Sequence, residues 1–185
     1  GSGAAGPDGI QRLAEGVGAG ALPGAEVVVF GFMNVGDAGA SALATALGRG
    51  ALQRLQRLSL VNAAICDAGL VALAPALRRL PALMHLSVRS NPLGDEGLAA
   101  LVAPPAPAGA LPTTTGGLKK LKTLDLDNTQ VSDAGCAALA SALNSGALPA
   151  LERLNLDGTP ASVAAKAAVF QARDTLSRCQ DEWGV

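Results

Sequence analysis

The chain has no tyrosine, one tryptophan, three phenylalanines and a single histidine. The aromatic anchors that usually dominate interface energy are therefore scarce, and partner affinity is expected to be modest. With one histidine, any Ser–His or Cys–His pair must use His85. No H-E-x-x-H, metal-ligand spacing, G-x-S-x-G or G-x-x-x-x-G-K-[ST] is present. Gly16-Val-Gly-Ala-Gly20 looks like a phosphate loop but follows helical spacing, not a strand, so that reading is rejected. No base–nucleophile pair, metal or cofactor is expected, and the chain reads as no enzyme.

Charge is also sparse, at 16 % with a net of −1, so the basic stripe of a nucleic-acid binder is missing. Apolar runs are short and broken by Gly, Pro or charge, which excludes a helical membrane span. No signal peptide is visible, and the opening Gly-Ser-Gly is expected to be an expression scar. Cys66, Cys136 and Cys179 are an odd, widely spaced set without C-x-x-C. They suggest reduced thiols and a cytoplasmic location. Cys66 and Cys136 fall where helices should begin, where a macrodipole could lower a thiol pKa. The plainer expectation is that both are small buried fillers.

What the chain does have is a returning phrase. Leu55-Gln-Arg-Leu58-Ser-Leu60 leads to Ile65, Asp67 and Gly69; Leu83-Met-His-Leu86-Ser-Val88 leads to Asn91, Leu93, Asp95 and Gly97. Leu121-Lys-Thr-Leu124-Asp-Leu126 leads to Val131, Asp133 and Gly135. The markers Asp8, Asp37, Asp67, Asp95 and Asp133 are 29, 30, 28 and 38 residues apart. Such a period means a solenoid whose units pack on their neighbours. Each phrase should be a short strand with Leu58, Leu86, Leu124 and Leu154 aligned in the core. Each second half should be a helix, with faces such as Leu70, Leu73 and Leu77. The Asp before each helix is expected to be its N-cap, worth about 1 kcal/mol.

The L-x-x-L-x-L-x-x-N-x-L phrase resembles leucine-rich repeats over residues 8–165. The 28–30-residue period, with D-x-G opening a helix, is similar to the long subtype of ribonuclease inhibitors and innate-immune sensor receptor domains. The resemblance implies an α/β horseshoe, with parallel concave strands and convex helices. It implies a protein-binding scaffold, or else the repeat part of a larger regulatory protein of GTPase-activating or immune-sensor type. In the family a ladder Asn bonds neighbouring backbone; here only Asn91 stands there, against Met33, Ala63, Thr129 and Thr159. The inner turns of the first two units are therefore expected to be looser, or met by water.

Residues 1–24 read as a partial first repeat, 25–161 as the repeats and 162–185 as a capping helix and tail. An insertion at 103–117, rich in Pro, Gly and Thr, should cut the third helix short and be mobile. Ser162 should cap the last helix, with Val163, Ala167, Phe170 and Leu176 inward and Trp183 helping to close the end. The chain is expected to start mid-repeat, so a monomer or end-to-end association through an uncapped first repeat is expected. Strand positions two, three and five should face the concave side. The candidate partner-binding residues are Arg57, Ser59, His85, Ser87, Arg89, Lys122, Asp125, Asp127, Arg153, Asn155 and Asp157. Their charge should run from basic (Arg57, His85, Arg89) to acidic (Asp125, Asp127, Asp157) along the array, steering one protein partner.

Overall fold

A computed structural model describes residues 24–103 and 118–183, with side chains through Asp174. The strands are β1 (Val27–Val29), β2 (Arg57–Ser59), β3 (His85–Ser87), β4 (Thr123–Asp125) and β5 (Arg153–Asn155). The helices are α1 (Gly36–Gly48), α2 (Asp67–Leu77), α3 (Asp95–Val102), α4 (Asp133–Asn144) and α5 (Val163–Trp183). The five strands form one open parallel sheet in the order β1-β2-β3-β4-β5. Each helix packs on the helix of the next unit. This is a leucine-rich-repeat α/β solenoid. The expectations for Asp8, for Gly16–Gly20, and for most of the insertion lie outside the described residues, and those for the side chains of Leu176, Cys179 and Trp183 lie outside the described side chains.

The central residue of every strand lies in one row: Val28, Leu58, Leu86, Leu124 and Leu154. Leu58, Leu86 and Leu124 are buried, with Leu55, Leu60, Leu83, Leu121 and Leu126 around them. Burying one such leucine contributes about 1.5–3 kcal/mol, and each does so only against its neighbours in the next turn of chain. The helix rows Leu70, Leu73, Leu77 and Leu139, Leu143 close the same core from outside. α3 has only 8 residues against 11 to 13 in α1, α2 and α4, as expected from the prolines that follow it.

The helix starts differ from expectation. Asp67, Asp95 and Asp133 are the first helical residues, and the N-cap positions are Cys66, Gly94 and Ser132. Each carboxylate instead caps the helix of the following unit. Asp37 Oδ1 accepts from Cys66 N–H at 2.8 Å, and Asp67 Oδ1 from Gly94 and Gly97 N–H at 2.7 and 2.9 Å. Asp95 Oδ1 accepts from Ser132 and Gly135 N–H at 2.7 and 3.0 Å, while its Oδ2 accepts from the Ser132 hydroxyl at 2.5 Å. Asp133 takes Ser162 N–H and hydroxyl in the same way. The glycine of D-x-G follows from this reach: a Cβ on Gly135 would collide with Asp95 Oδ1, and one on Gly97 would lie 2.8 Å from Asp67 Oδ1. The motif is thus a joint between units, with the acid on one turn and the glycine on the next.

Asn91 also works across the joint. Its Oδ1 accepts from Ala63 and Ile65 N–H, and its Nδ2 donates to the carbonyls of Leu60, Val88 and Arg89. The second unit, expected to be loose because Ala63 holds its own ladder position, is therefore satisfied by its neighbour. Thr129 and Thr159 donate only locally, to Leu126 and Leu156 carbonyls.

At the far end Ser162 caps α5 through its hydroxyl to Ala165 N–H. The apolar face expected there is corrected: Val169 and Ala172 are buried and Phe170 half-buried, while Val163 and Ala167 are exposed. The buried stripe of α5 thus differs from the expected one, and Arg173 lies 5.4 Å from the Phe170 ring centre.

Candidate interaction face

Because the strand centres turn inward, the flanking residues must turn outward. Two rows result. The first is Val27, Arg57, His85, Thr123 and Arg153; the second is Val29, Ser59, Ser87, Asp125 and Asn155. The ladder continues past the strands, with N–H groups of Asn62, Ser90 and Asn128 donating to the carbonyls of Arg89, Asp127 and Asp157. That holds Arg89, Asp127 and Asp157 one unit apart beside the second row. Lys122 precedes the first row, and its Nζ meets Glu152 Oε1 at 2.7 Å. All eleven nominated residues are thus on or beside one sheet face, and none is fully buried.

The charge pattern is not the simple end-to-end gradient expected. Cations gather at the N-terminal side of the strands (Arg57, Lys122, Arg153), and carboxylates at their C-terminal side (Asp125, Asp127, Asp157). Arg89 is the exception, and Glu152 sits among the cations as the partner of Lys122. The separation runs mainly along the strands, because register stacks like positions and the phrase repeats its polar residues in order.

Between the rows lies a shallow hollow of about 340 Å³, floored by Leu58 and Leu86 and walled by Arg57, Ser59, His85, Ser87, Thr123, Asp125 and Arg153. The Ser87 hydroxyl donates to Asp125 Oδ2 at 3.1 Å, and Asp125 Oδ1 accepts from Asp127 N–H. Burial and the neighbouring Arg57, Lys122 and Arg153 push the His85 pKa below its ordinary 6.5, against a weaker pull from Glu152. The imidazole is therefore neutral at pH 7 and surrounded by cations that prefer a negative group nearby. The Lys122 hydrogen bond and charge hold the Glu152 carboxyl below its ordinary value.

One residue on this face escaped the sequence reading. Phe32 has φ +59° and is 78 % exposed. The equivalent turn positions hold Asn62, Ser90, Asn128 and Gly158, also at positive φ. Asn and Gly tolerate the left-handed region, whereas a bulky side chain pays about 1–2 kcal/mol for it. Val27 and Val29 are also exposed, at 54 and 61 %, so β1 carries an apolar patch where later strands carry polar groups. Phe32 stands two residues beyond Phe30, the slot that Asn62 and Asn128 fill two residues beyond Leu60 and Leu126.

The cysteines differ from expectation too. Cys66 is exposed, not a buried filler, while Cys136 is buried. Partial burial and the charges of Asp37 and Asp67 raise the Cys66 thiol pKa, and burial followed by Asp133 raises that of Cys136. The helix dipole does not prevail at either. Among the described residues no group of three His, Cys, Asp or Glu side chains converges to hold a metal ion, and no helix is long and apolar enough to cross a membrane.

A family model described as Leucine Rich repeat matches residues 80–102 and 117–140. These stretches contain β3, α3, β4 and the start of α4, and the same architecture continues through the units on either side. The match and the open sheet together support a leucine-rich-repeat protein. No curated protein matches the chain. Leucine-rich repeats are generally non-catalytic interaction modules.

Proposed function

We propose that the chain is a non-catalytic scaffold that holds a partner protein on its concave strand face. The observation that carries this reading is the pair of in-register rows, which set exposed charged and hydroxyl groups one strand spacing apart around a hollow. A rigid sheet displays such groups at little entropic cost to binding. The 28–30-residue period and the convex helices of 11 to 13 residues support the long, ribonuclease-inhibitor-like subtype. The odd cysteine set supports a cytoplasmic setting.

The test compares the wild type with Asp125→Lys/Asp127→Lys as immobilised baits in native lysate, read by mass spectrometry. A species captured by the wild type whose capture changes, up or down, in the double variant and stays the same in a convex-face Val71→Lys control supports the concave site. Equal capture by all three, with unchanged melting, removes it.

A further inference from the structure

We propose that the concave face takes an extended acidic segment of a partner protein, seating an apolar side chain on Phe32, Val27 and Val29 and carboxylates over Arg57, His85 and Arg153. This rests on the concave face being the interaction site and adds the chemistry of what lies on it.

Three independent observations meet here. Phe32 is held exposed in a backbone conformation that disfavours it, and no packing within the described residues compensates. The turn imposes this conformation on every unit, but the others fill it with Asn, Ser or Gly, so a bulky ring there gains nothing for the fold itself. Val27 and Val29 are exposed on the face of β1 opposite Val28, which turns toward the core. Next, Arg57 and Arg153 lie in the row that begins with Val27, with His85 between them. Lys122 is already matched by Glu152, whereas among the described residues no carboxylate is within ion-pair reach of Arg57 or Arg153. Finally, Asp125 sits in the adjacent row, fixed by the Ser87 hydroxyl. It repels a carboxylate from that side and leaves the Arg57–His85–Arg153 row as the favourable track.

The spacing sets the segment. Neighbouring strands are about 4.8 Å apart, so Val27 to Arg153 spans roughly 19 Å. An extended chain covers that in about six residues at ~3.3 Å each. The occupant thus carries one aromatic or aliphatic residue, then acidic residues about two and six positions further on.

His85 gives the interaction a pH signature. Arg57 on β2, Lys122 and Asp125 on and beside β4, and Glu152 and Arg153 at β5 are the charged groups around it. Without ligand, partial burial and then the cations disfavour protonation of the ring. A bound carboxylate favours protonation, so affinity should rise as pH falls from 7.5 to 6.

Fluorescence anisotropy with a labelled eight-residue probe tests this, the probe having Phe at one end and Glu at the second, third and sixth positions after it. The expected result is binding that weakens with salt, falls at least tenfold when the probe's Glu are replaced by Gln, and vanishes with Lys. Arg57→Gln/Arg153→Gln should cut affinity at least tenfold. Phe32→Asn, which installs the residue that other units use, should cut it only for probes that retain Phe. The gain at pH 6 should disappear in His85→Gln. Equal binding of the Glu and Gln probes, or none at millimolar protein, overturns the proposal. So does competition by a peptide of residues 1–23, which makes the chain's own leading segment the occupant. Concentration-dependent dimerisation abolished by Phe32→Asn also overturns it, in favour of a second copy. If capture changes in Asp125→Lys/Asp127→Lys but not in Arg57→Gln/Arg153→Gln, this inference falls while the concave scaffold stands. Unchanged capture by both pairs ends the scaffold reading itself.

Discussion

Asp95→Ala should destabilise α4, the helix of the following unit, rather than α3, which Asp95 begins. Asp95 accepts two backbone N–H groups and one hydroxyl from the next turn of chain, at 2.7, 3.0 and 2.5 Å. Removing it leaves the Ser132 and Gly135 N–H groups to find water in a partly buried joint. Loss of an N-cap costs about 0.5–2 kcal/mol, and hydrogen bonds to a charged group about 1.5–3 each. A combined loss of about 2–3 kcal/mol at pH 7 is expected in urea unfolding. The cost is pH-dependent in a defined direction. Burial pushes the Asp95 pKa up, but the Ser132 hydroxyl and the N–H groups of Ser132 and Gly135 outweigh it, and the carboxyl titrates below its ordinary 3.8. A depressed carboxylate stabilises fully above that ordinary value, and the gain fades as pH falls through the folded-state value. The difference between wild type and Asp95→Ala should therefore shrink in acid. Amide exchange gives the location: faster at 132–136, with 94 and 97 still protected by Asp67. Faster exchange at 96–98 with 132–136 unchanged, or a cost under about 0.5 kcal/mol, refutes capping between units.

Asn91→Ala leaves the Ala63 and Ile65 N–H groups and the Leu60 carbonyl without their partner in the core, and should cost about 3–5 kcal/mol by thermal or urea unfolding. Thr129→Val removes one local bond and should cost about 1 kcal/mol; equal costs contradict the ladder role of Asn91. Phe32→Asn should stabilise the fold by about 1 kcal/mol, because the left-handed turn suits Asn and little burial is lost; a loss of stability shows that the ring packs in solution. Cys66, though exposed, should react slowly with iodoacetamide at pH 7, and Asp37→Asn should speed it by weakening the local negative field. An unchanged rate in that variant contradicts the assigned cause.

The leucine rows were legible because a period of two within the strand and near thirty along the chain leaves one consistent stacking. Leu58, Leu86, Leu124 and Leu154 indeed occupy one register row. What each polar residue bonds was not legible. Sequence reasoning gave Asp67 and Asp95 to the helices they open, since capping is ordinarily local. The stack instead brings an N-terminus from the next turn within reach, and the glycine of that next turn (Gly97 for Asp67, Gly135 for Asp95) leaves room for the carboxylate. Ala63 looked like a defect for the same reason: the compensating amide belongs to Asn91, 28 residues later. The concave candidates could be placed on a face from alternation alone. Their grouping into a cationic side and an acidic side needed the register. Phe32 was passed over because a lone aromatic in a degenerate unit gives no periodic signal.

The most direct test is an NMR titration of His85, the single histidine, whose ring protons have no overlapping imidazole. The account places it in one row between Arg57 and Arg153, so its pKa should lie below 6.5 in the wild type and rise in Arg57→Gln and again in Arg57→Gln/Arg153→Gln. An ordinary pKa that ignores both substitutions contradicts the in-register concave row on which the interaction face depends.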